Sequence, residues 1–143
     1  MRAVVLDASV IVEALTSGQS DGAAERAEDV WLLAATGHVP IVQPPHWLAE
    51  VTGVLARVSP QTAEVDAEDL YTLNLPEAGD LGVYTTAVRL SIDLGQHLFD
   101  TLYHAVALER GALLVTGDRR YLRTSGRVGG VVAIDDFNLD LLE

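Results

Sequence analysis

Four acidic residues stand where a fold could use them together: Asp7, Glu50, Asp100 and Asp118. Asp7 and Asp118 each lie at or just past the end of a short apolar run, residues 3–6 and 112–116. Glu50 falls inside a largely apolar helical stretch, and Asp100 opens another directly after a short link. Carboxylates gathered in one place repel one another and raise one another's pKa values. A fold keeps such a cluster when it binds hard divalent cations, because Mg²⁺ and Mn²⁺ take oxygen ligands and retain several waters. Two such ions about 3.5–4 Å apart stabilise the attacking and leaving oxygens of a phosphodiester, and one ion alone lowers the pKa of its water. Each acid has a plainer alternative. Asp7, Asp100 and Asp118 could cap a helix or turn, and Glu50 could lie on the solvent side of a half-buried helix. Glu13, Asp93, Asp135 and Asp136 are expected to be solvated or capping.

The elements that would position these acids follow from hydrophobic patterning. Residues 3–6 form an unbroken apolar run, as in a strand buried on both faces of a parallel sheet. Asp7 then sits at the carboxyl edge, where open α/β folds bind ligands. A helix begins near Ser9. After a polar break at residues 16–20, Ser20 is placed to cap a helix through Ala35. Residues 39–42 are expected as a second strand. Pro44 and Pro45 stop it and start a helix over about residues 45–58, with Trp47, Leu48, Val51, Val54 and Leu55 on its apolar face. Further helices are expected over about residues 60–73, 80–94 and 100–110, the last two closed by Gly95 and Gly111. Residues 112–116 form a third strand, residues 119–123 one helical turn, and residues 131–134 a fourth strand. The expectation is an α/β fold with a central parallel sheet of four to five strands flanked by helices, in one domain over residues 1–143.

Composition narrows the function. Apolar residues make up 49% of the chain and the formal net charge is −12. A globular domain of this size buries a real core. The charge opposes non-specific binding to nucleic acid or to a membrane surface, so a nucleic-acid substrate would need cations or local arginines to reverse the sign. All nine basic residues are arginine and there is no cysteine. Lysine chemistry, thiolate nucleophiles, disulfides and Cys-ligated zinc are therefore excluded. Neither a signal peptide nor a spanning segment is visible, which suggests a cytoplasmic protein. There is no Gly-x-Gly-x-x-Gly after the first strand, no P-loop and no Gly-x-Ser-x-Gly elbow. Haloacid-dehalogenase phosphatases and response-regulator receivers both require a lysine that this chain lacks.

Arg119, Arg120, Arg123 and Arg127 place four of the nine basic residues just after Asp118. They could hold phosphates beside a metal site, Arg119 and Arg120 foremost, or form a solvated turn paired with acids. His46 with Glu50 and Asp100 with His104 are pairs four apart on helices and share a face. A His-ligated metal is disfavoured, since carboxylate-bridged sites use a Glu-x-x-His spacing and Asp7 and Asp118 would go unexplained. His104 is expected as a wall residue near the site, with His38 and His97 in loops. Trp31, Leu32, Leu33, Trp47 and Tyr103 are expected to pack.

The segments VVLDASVIV, PPHWLAEVTGVL and LFDTLYHAVALERGALLVTGDRRYL, in that order and spacing, resemble the PIN-domain ribonucleases, and within them the VapC toxins of bacterial toxin–antitoxin pairs. The resemblance runs from the first strand to Ile134. It implies a Mg²⁺- or Mn²⁺-dependent endoribonuclease whose acidic quartet falls on Asp7, Glu50, Asp100 and Asp118. Asp7, Asp100 and Asp118 would be direct or water-mediated ligands, and Glu50 a ligand or water-orienting base. Ser9 and Thr116 match the family's hydroxyl residues and would orient carboxylates or metal waters. It further implies an RNA substrate, phosphate contacts from Arg119, Arg120 and Arg123, a homodimer, and an antitoxin whose C-terminal segment covers the acidic groove. Two alternatives remain open: a catalytically silent binding module of the same fold, and a nuclease of RNA processing outside any toxin pair.

Overall fold

The computed structural model describes residues 1–16 and 22–143, so the expected cap at Ser20 lies outside the described residues. The sheet is built on two strands buried on both faces. β1 (Val4–Leu6) pairs in parallel with β2 (Leu113–Thr116), which pairs in parallel with β3 (Val131–Ala133). Val5 lies opposite Leu114, and Leu114 opposite Val131. Parallel neighbours need long crossovers, and helices supply them. These are α1 (Ala8–Thr16), α2 (Gly22–Ala35), α3 (Trp47–Val58), α4 (Ala63–Leu73), α5 (Leu81–Leu94), α6 (Leu98–Arg110) and the short α7 (Arg119–Ser125). α6 packs on β1 and β2, α5 packs on α6, and α2 on α1. One apolar core joins Val4, Val5 and Leu6 to Val10 and Ile11 of α1, Val51 and Leu55 of α3, Leu102 and Val106 of α6, and Leu114 and Val115. Trp31, Trp47 and Tyr103 belong to it as expected, whereas Leu32 is exposed.

The α/β architecture with a parallel sheet is as expected, but the strand number is not. Residues 39–42 do not form a strand. Ile41 makes a single parallel bridge to Val4, and Gln43 one to Glu77. Pro40 has no N–H to donate, and Pro44 closes the segment, so no ladder can extend through it. The Pro40 carbonyl still accepts from Val4 N at 2.9 Å, and Val42 N donates to the Val4 carbonyl at 3.0 Å. The Gln43 side chain then takes over from the main chain. Its Oε1 accepts from Leu6 N at 2.8 Å and its Nε2 donates to the Leu6 carbonyl at 2.9 Å, all fully buried. A side-chain amide thus satisfies the free edge of β1 immediately before Asp7. The sheet has three strands, with residues 40–43 covering that edge.

Helix bounds also differ: α4 starts at Ala63 and not near residue 60. α6 begins at Leu98 with His97 as N-cap, so Asp100 lies in its first turn and not at the cap. α7 starts at Arg119 as expected, where the Asp118 side chain accepts from Tyr121 N at 3.0 Å and caps it, but it runs to Ser125, beyond the single turn expected. α5 and α6 end as expected at Gly95 and Gly111, both left-handed with φ of 63° and 62°. No helix among the described residues is long and apolar enough to cross a membrane.

Candidate active site

β1 and β2 end side by side, and the parallel pairing brings the residues after them to one edge of the sheet. Asp7 follows β1 and Asp118 stands two residues beyond β2. The hydroxyls of Ser9 and Thr116 tie the two ends together. Ser9 Oγ donates to Asp7 Oδ2 at 2.5 Å and accepts from Gly117 N at 3.0 Å. Thr116 Oγ1 donates to the same Oδ2 at 3.3 Å and accepts from Asp118 N at 3.0 Å. Ser9 N adds a third bond to Oδ2 at 3.2 Å. One oxygen of Asp7 is therefore fixed from both strand ends, while Oδ1 carries no hydrogen bond among the described residues.

Glu50 reaches the same place from α3 and Asp100 from α6. The electrostatics register the convergence. Burial raises the Asp7 carboxyl to about 6, against the lowering effect of the Ser9 hydrogen bonds, and the charges of Glu50 and Asp100 raise it further. Asp100 is also raised, first by burial, then by Glu50 and Asp118, with His97 and His46 acting weakly the other way. Beneath the acids, burial lifts the Tyr103 and Tyr121 hydroxyls, and the same carboxylates add to it. Tyr103 Oη is buried beside Glu50 without a well-formed hydrogen bond. No arginine among the described residues forms an ion pair with any of the four acids.

The four groups thus act on one another electrostatically, offer only oxygen, and have no arginine partner among the described residues. That donor chemistry suits a hard divalent cation. Among the described residues no three His, Asp or Glu side chains converge tightly enough to enclose an ion by themselves. A cation held here would keep water in several positions, which is the habit of Mg²⁺.

The other side chains singled out in the sequence fall as follows. Arg119 pairs with Asp135 and so is held against the start of the C-terminal segment, while Arg120 and Arg123 are exposed on α7. Asp135 is thereby an ion-pair partner rather than a cap. His104 is buried under the site with both nitrogens engaged. Nε2 donates to the Gly129 carbonyl at 2.7 Å, which leaves Nδ1 to accept from the Tyr121 hydroxyl at 2.8 Å. It is structural and cannot share a ligand with Asp100. His46 lies 3.6 Å from Glu50, but its Nε2 donates to the Phe99 carbonyl at 2.9 Å. A helix-face histidine metal site is not formed. The sequence reasoning missed Gln43, Phe99 and Arg57. Only Phe99 had a signal: a large aromatic directly before a candidate acid, outside the apolar face of its helix.

Residues 4–127 match the family described as the PIN domain. The chain belongs to the PIN domain family. As a PIN domain it is similar to a toxin–antitoxin complex from Klebsiella pneumoniae, at 16% identity and a TM-score of 0.67 over 92% of this chain and 98% of that one. It is equally close in fold to the DNA-bound VapBC of Salmonella typhimurium, at 15% identity and a TM-score of 0.67, covering 94% and 99% of the two chains. The Mycobacterium tuberculosis toxin VapC20, which cleaves the sarcin–ricin loop, gives 16% identity and a TM-score of 0.67 over 90% and 97%. At these identities the likeness establishes the fold. No curated protein matches this chain by sequence.

Proposed function

We propose that this PIN domain is a divalent-metal-dependent endoribonuclease acting as the toxin of a toxin–antitoxin pair. The observation that carries the reading is the mutual electrostatic reach of Asp7, Glu50, Asp100 and Asp118, drawn from four separate elements with no arginine to neutralise them. Asp7, Asp100 and Asp118 would hold Mg²⁺ or Mn²⁺ directly or through water, with Glu50 a fourth ligand or the group that orients the attacking water. A bound ion supplies Lewis acidity and a water of lowered pKa. The chain's own work is positional. Ser9 and Thr116 hold Asp7 Oδ2, so the carboxylate presents its other oxygen without reorganisation. Asp118 is fixed at the α7 N-terminus through Oδ1. Arg120 and Arg123 stand free to contact phosphates, while Arg119 must leave Asp135 to do so.

The neighbours support the choice of substrate and partner. One is a toxin that cleaves the sarcin–ricin loop, and others are toxin–antitoxin complexes. By that likeness the substrate is RNA and the partner an antitoxin whose C-terminal segment covers the acidic groove. The homodimer expected of such toxins would use α5, whose Leu81, Val88 and Ile92 form an exposed apolar stripe. A cytoplasmic location accords with this role.

The test is cleavage of a structured RNA pool with Mg²⁺, Mn²⁺ or EDTA, comparing the wild-type chain with Asp7→Asn. Cleavage that requires both metal and Asp7 is expected. Normal cleavage by Asp7→Asn would refute the site. No cleavage by the folded wild-type chain in either metal would favour a PIN-type binding module instead.

A further inference from the structure

Beside the acids lies a groove of about 410 Å³ lined by His46, Ala49, Glu50, Gly53, Val54, Arg57 and Phe99. Its most unusual member is Phe99. It occupies the first turn of α6, one residue before Asp100, and is 62% exposed. Its ring is held nonetheless. The His46 imidazole stacks on it at 5.2 Å and 27°, and Tyr103 closes the far side of His46 edge-on at 4.9 Å. His46 in turn is anchored by its bond to the Phe99 carbonyl. The groove thus presents an aromatic ring that is braced by the protein and open to solvent.

Three features say what the ring meets. The α3 side of the groove is left open at Gly53, which is exposed and where a Cβ would touch nothing within 4 Å. Arg57 stands at the rim, exposed and without an ion pair among the described residues. Glu50 is shared between groove and acidic cluster, so an occupant of the groove is adjacent to whatever the acids hold. An aromatic face, an apolar slot and one cation, next to a candidate phosphodiester site, match an unstacked nucleotide with its phosphate. Single-stranded RNA is recognised in this way, by splaying bases onto aromatic rings and placing phosphates on arginine.

We infer that this groove is a nucleotide subsite, in which one base flanking the scissile phosphate stacks on Phe99 and the next phosphate meets Arg57. The inference rests on the ribonuclease reading and names part of its specificity. Phe99 would be a binding residue, and His46 a positioning residue acting through it. The subsite also answers an electrostatic need. A chain of net charge −12 gains little from long-range attraction to RNA, whereas stacking is indifferent to charge.

The RNA cleaved by the wild-type chain is resynthesised with 2-aminopurine on either side of the scissile bond. Binding to Asp7→Asn, which leaves the groove intact, is then followed by fluorescence. Quenching is expected for one flank only. Phe99→Ala and Gly53→Leu, each placed in the Asp7→Asn chain, should remove it, the first by taking away the platform and the second by filling the slot. In otherwise wild-type protein each should raise KM about 5- to 150-fold, with kcat affected far less. An abasic nucleotide at that flank should be bound equally by wild type and Phe99→Ala. Unchanged quenching and KM in both variants would overturn the subsite while leaving the nuclease in place, and would return the groove to a protein segment such as an antitoxin. A wild-type chain that cleaves nothing would overturn the nuclease. Quenching of 2-aminopurine-labelled single-stranded RNA that depends on Phe99 would then still support the groove, and its absence would refute it.

Discussion

Asp7→Asn should make the metal-free protein more stable while removing its activity. Folding lifts the Asp7 carboxyl from 3.8 to about 6, chiefly through burial and then through Glu50 and Asp100. Below pH 3.8 the group is protonated in both the folded and the unfolded chain and costs nothing. Between 3.8 and 6 the unfolded chain ionises first, so stability falls as pH rises. Above 6 the loss is complete. A shift of about two units at about 1.4 kcal/mol each corresponds to about 3 kcal/mol. Asp7 keeps part of its surface in water, and Asn retains an acceptor for Ser9, so we expect about 2 kcal/mol. For a domain of this size that is about 4–8 °C in melting temperature at pH 7.5 in EDTA, shrinking towards zero near pH 3.5. Mg²⁺ should reverse the order. An ion at 100 times its dissociation constant stabilises the wild-type chain by about 2.7 kcal/mol and should leave Asp7→Asn unmoved. Thermal melts at the two pH values, with and without Mg²⁺, measure all of this. A variant less stable than wild type in EDTA at pH 7.5, or a gap independent of pH, would refute the reasoning.

Ser9→Ala removes a hydrogen bond that holds the Asp7 pKa down, so the acid limb of the cleavage profile should move up by about one pH unit; an unmoved limb would place Asp7 ionisation outside the rate. Gln43→Leu leaves the buried N–H and carbonyl of Leu6 unpaired and should cost about 2–4 kcal/mol in urea unfolding; a cost under about 1 kcal/mol would mean that water or main chain replaces the amide. Arg120→Ala with Arg123→Ala should weaken RNA binding and flatten its log–log salt slope by about 1.4, while Arg119→Ala, whose guanidinium is taken by Asp135, should change the slope less.

The parts of this fold legible in the sequence are those where one physical cause acts alone. β1 and β2 are buried on both faces, so an unbroken apolar run marks them, and whatever follows such strands lies at the carboxyl edge. That places Asp7 and Asp118 without further information. Gly95 and Gly111 end α5 and α6 because a left-handed residue is needed there. Legibility fails where a side chain stands in for backbone. Residues 39–42 have strand composition, but Pro40 interrupts them and Pro44 follows, and the pairing to Leu6 is made by the Gln43 amide, which leaves no periodic trace. It fails again at contacts distant in sequence. The stack of His46 on Phe99 joins α6 to the residue just ahead of α3, and the pair of Arg119 with Asp135 spans β3. The spacing of His46 and Glu50 admitted a shared ligand but did not favour one, and His46 Nε2 is bonded to a carbonyl 53 residues away. Asp118 shows that the two meanings of a strand-end acid are compatible, since it caps α7 through one oxygen at the same edge as Asp7.

On the ribonuclease reading proposed above, the charge distribution sets how the chain would take hold of RNA. Of the nine arginines, Arg110 and Arg119 are held by Asp80 and Asp135, and Arg2 is bonded to the carbonyls of Gly111 and Ala112. The other six, Arg26, Arg57, Arg89, Arg120, Arg123 and Arg127, are exposed, against a net charge of −12. Six exposed arginines cannot reverse the field of a surface with that net charge, so an RNA strand would not be drawn in from a distance. Attraction has to be local and assembled on arrival: a cation between phosphate and carboxylates, a base against Phe99, a phosphate at Arg57. The raised carboxyl of Asp7 belongs to the same arrangement. An uncompensated carboxylate in this cluster stores an unfavourable energy that a bound cation or a proton relieves, so ion binding would be coupled to the charge state of Asp7.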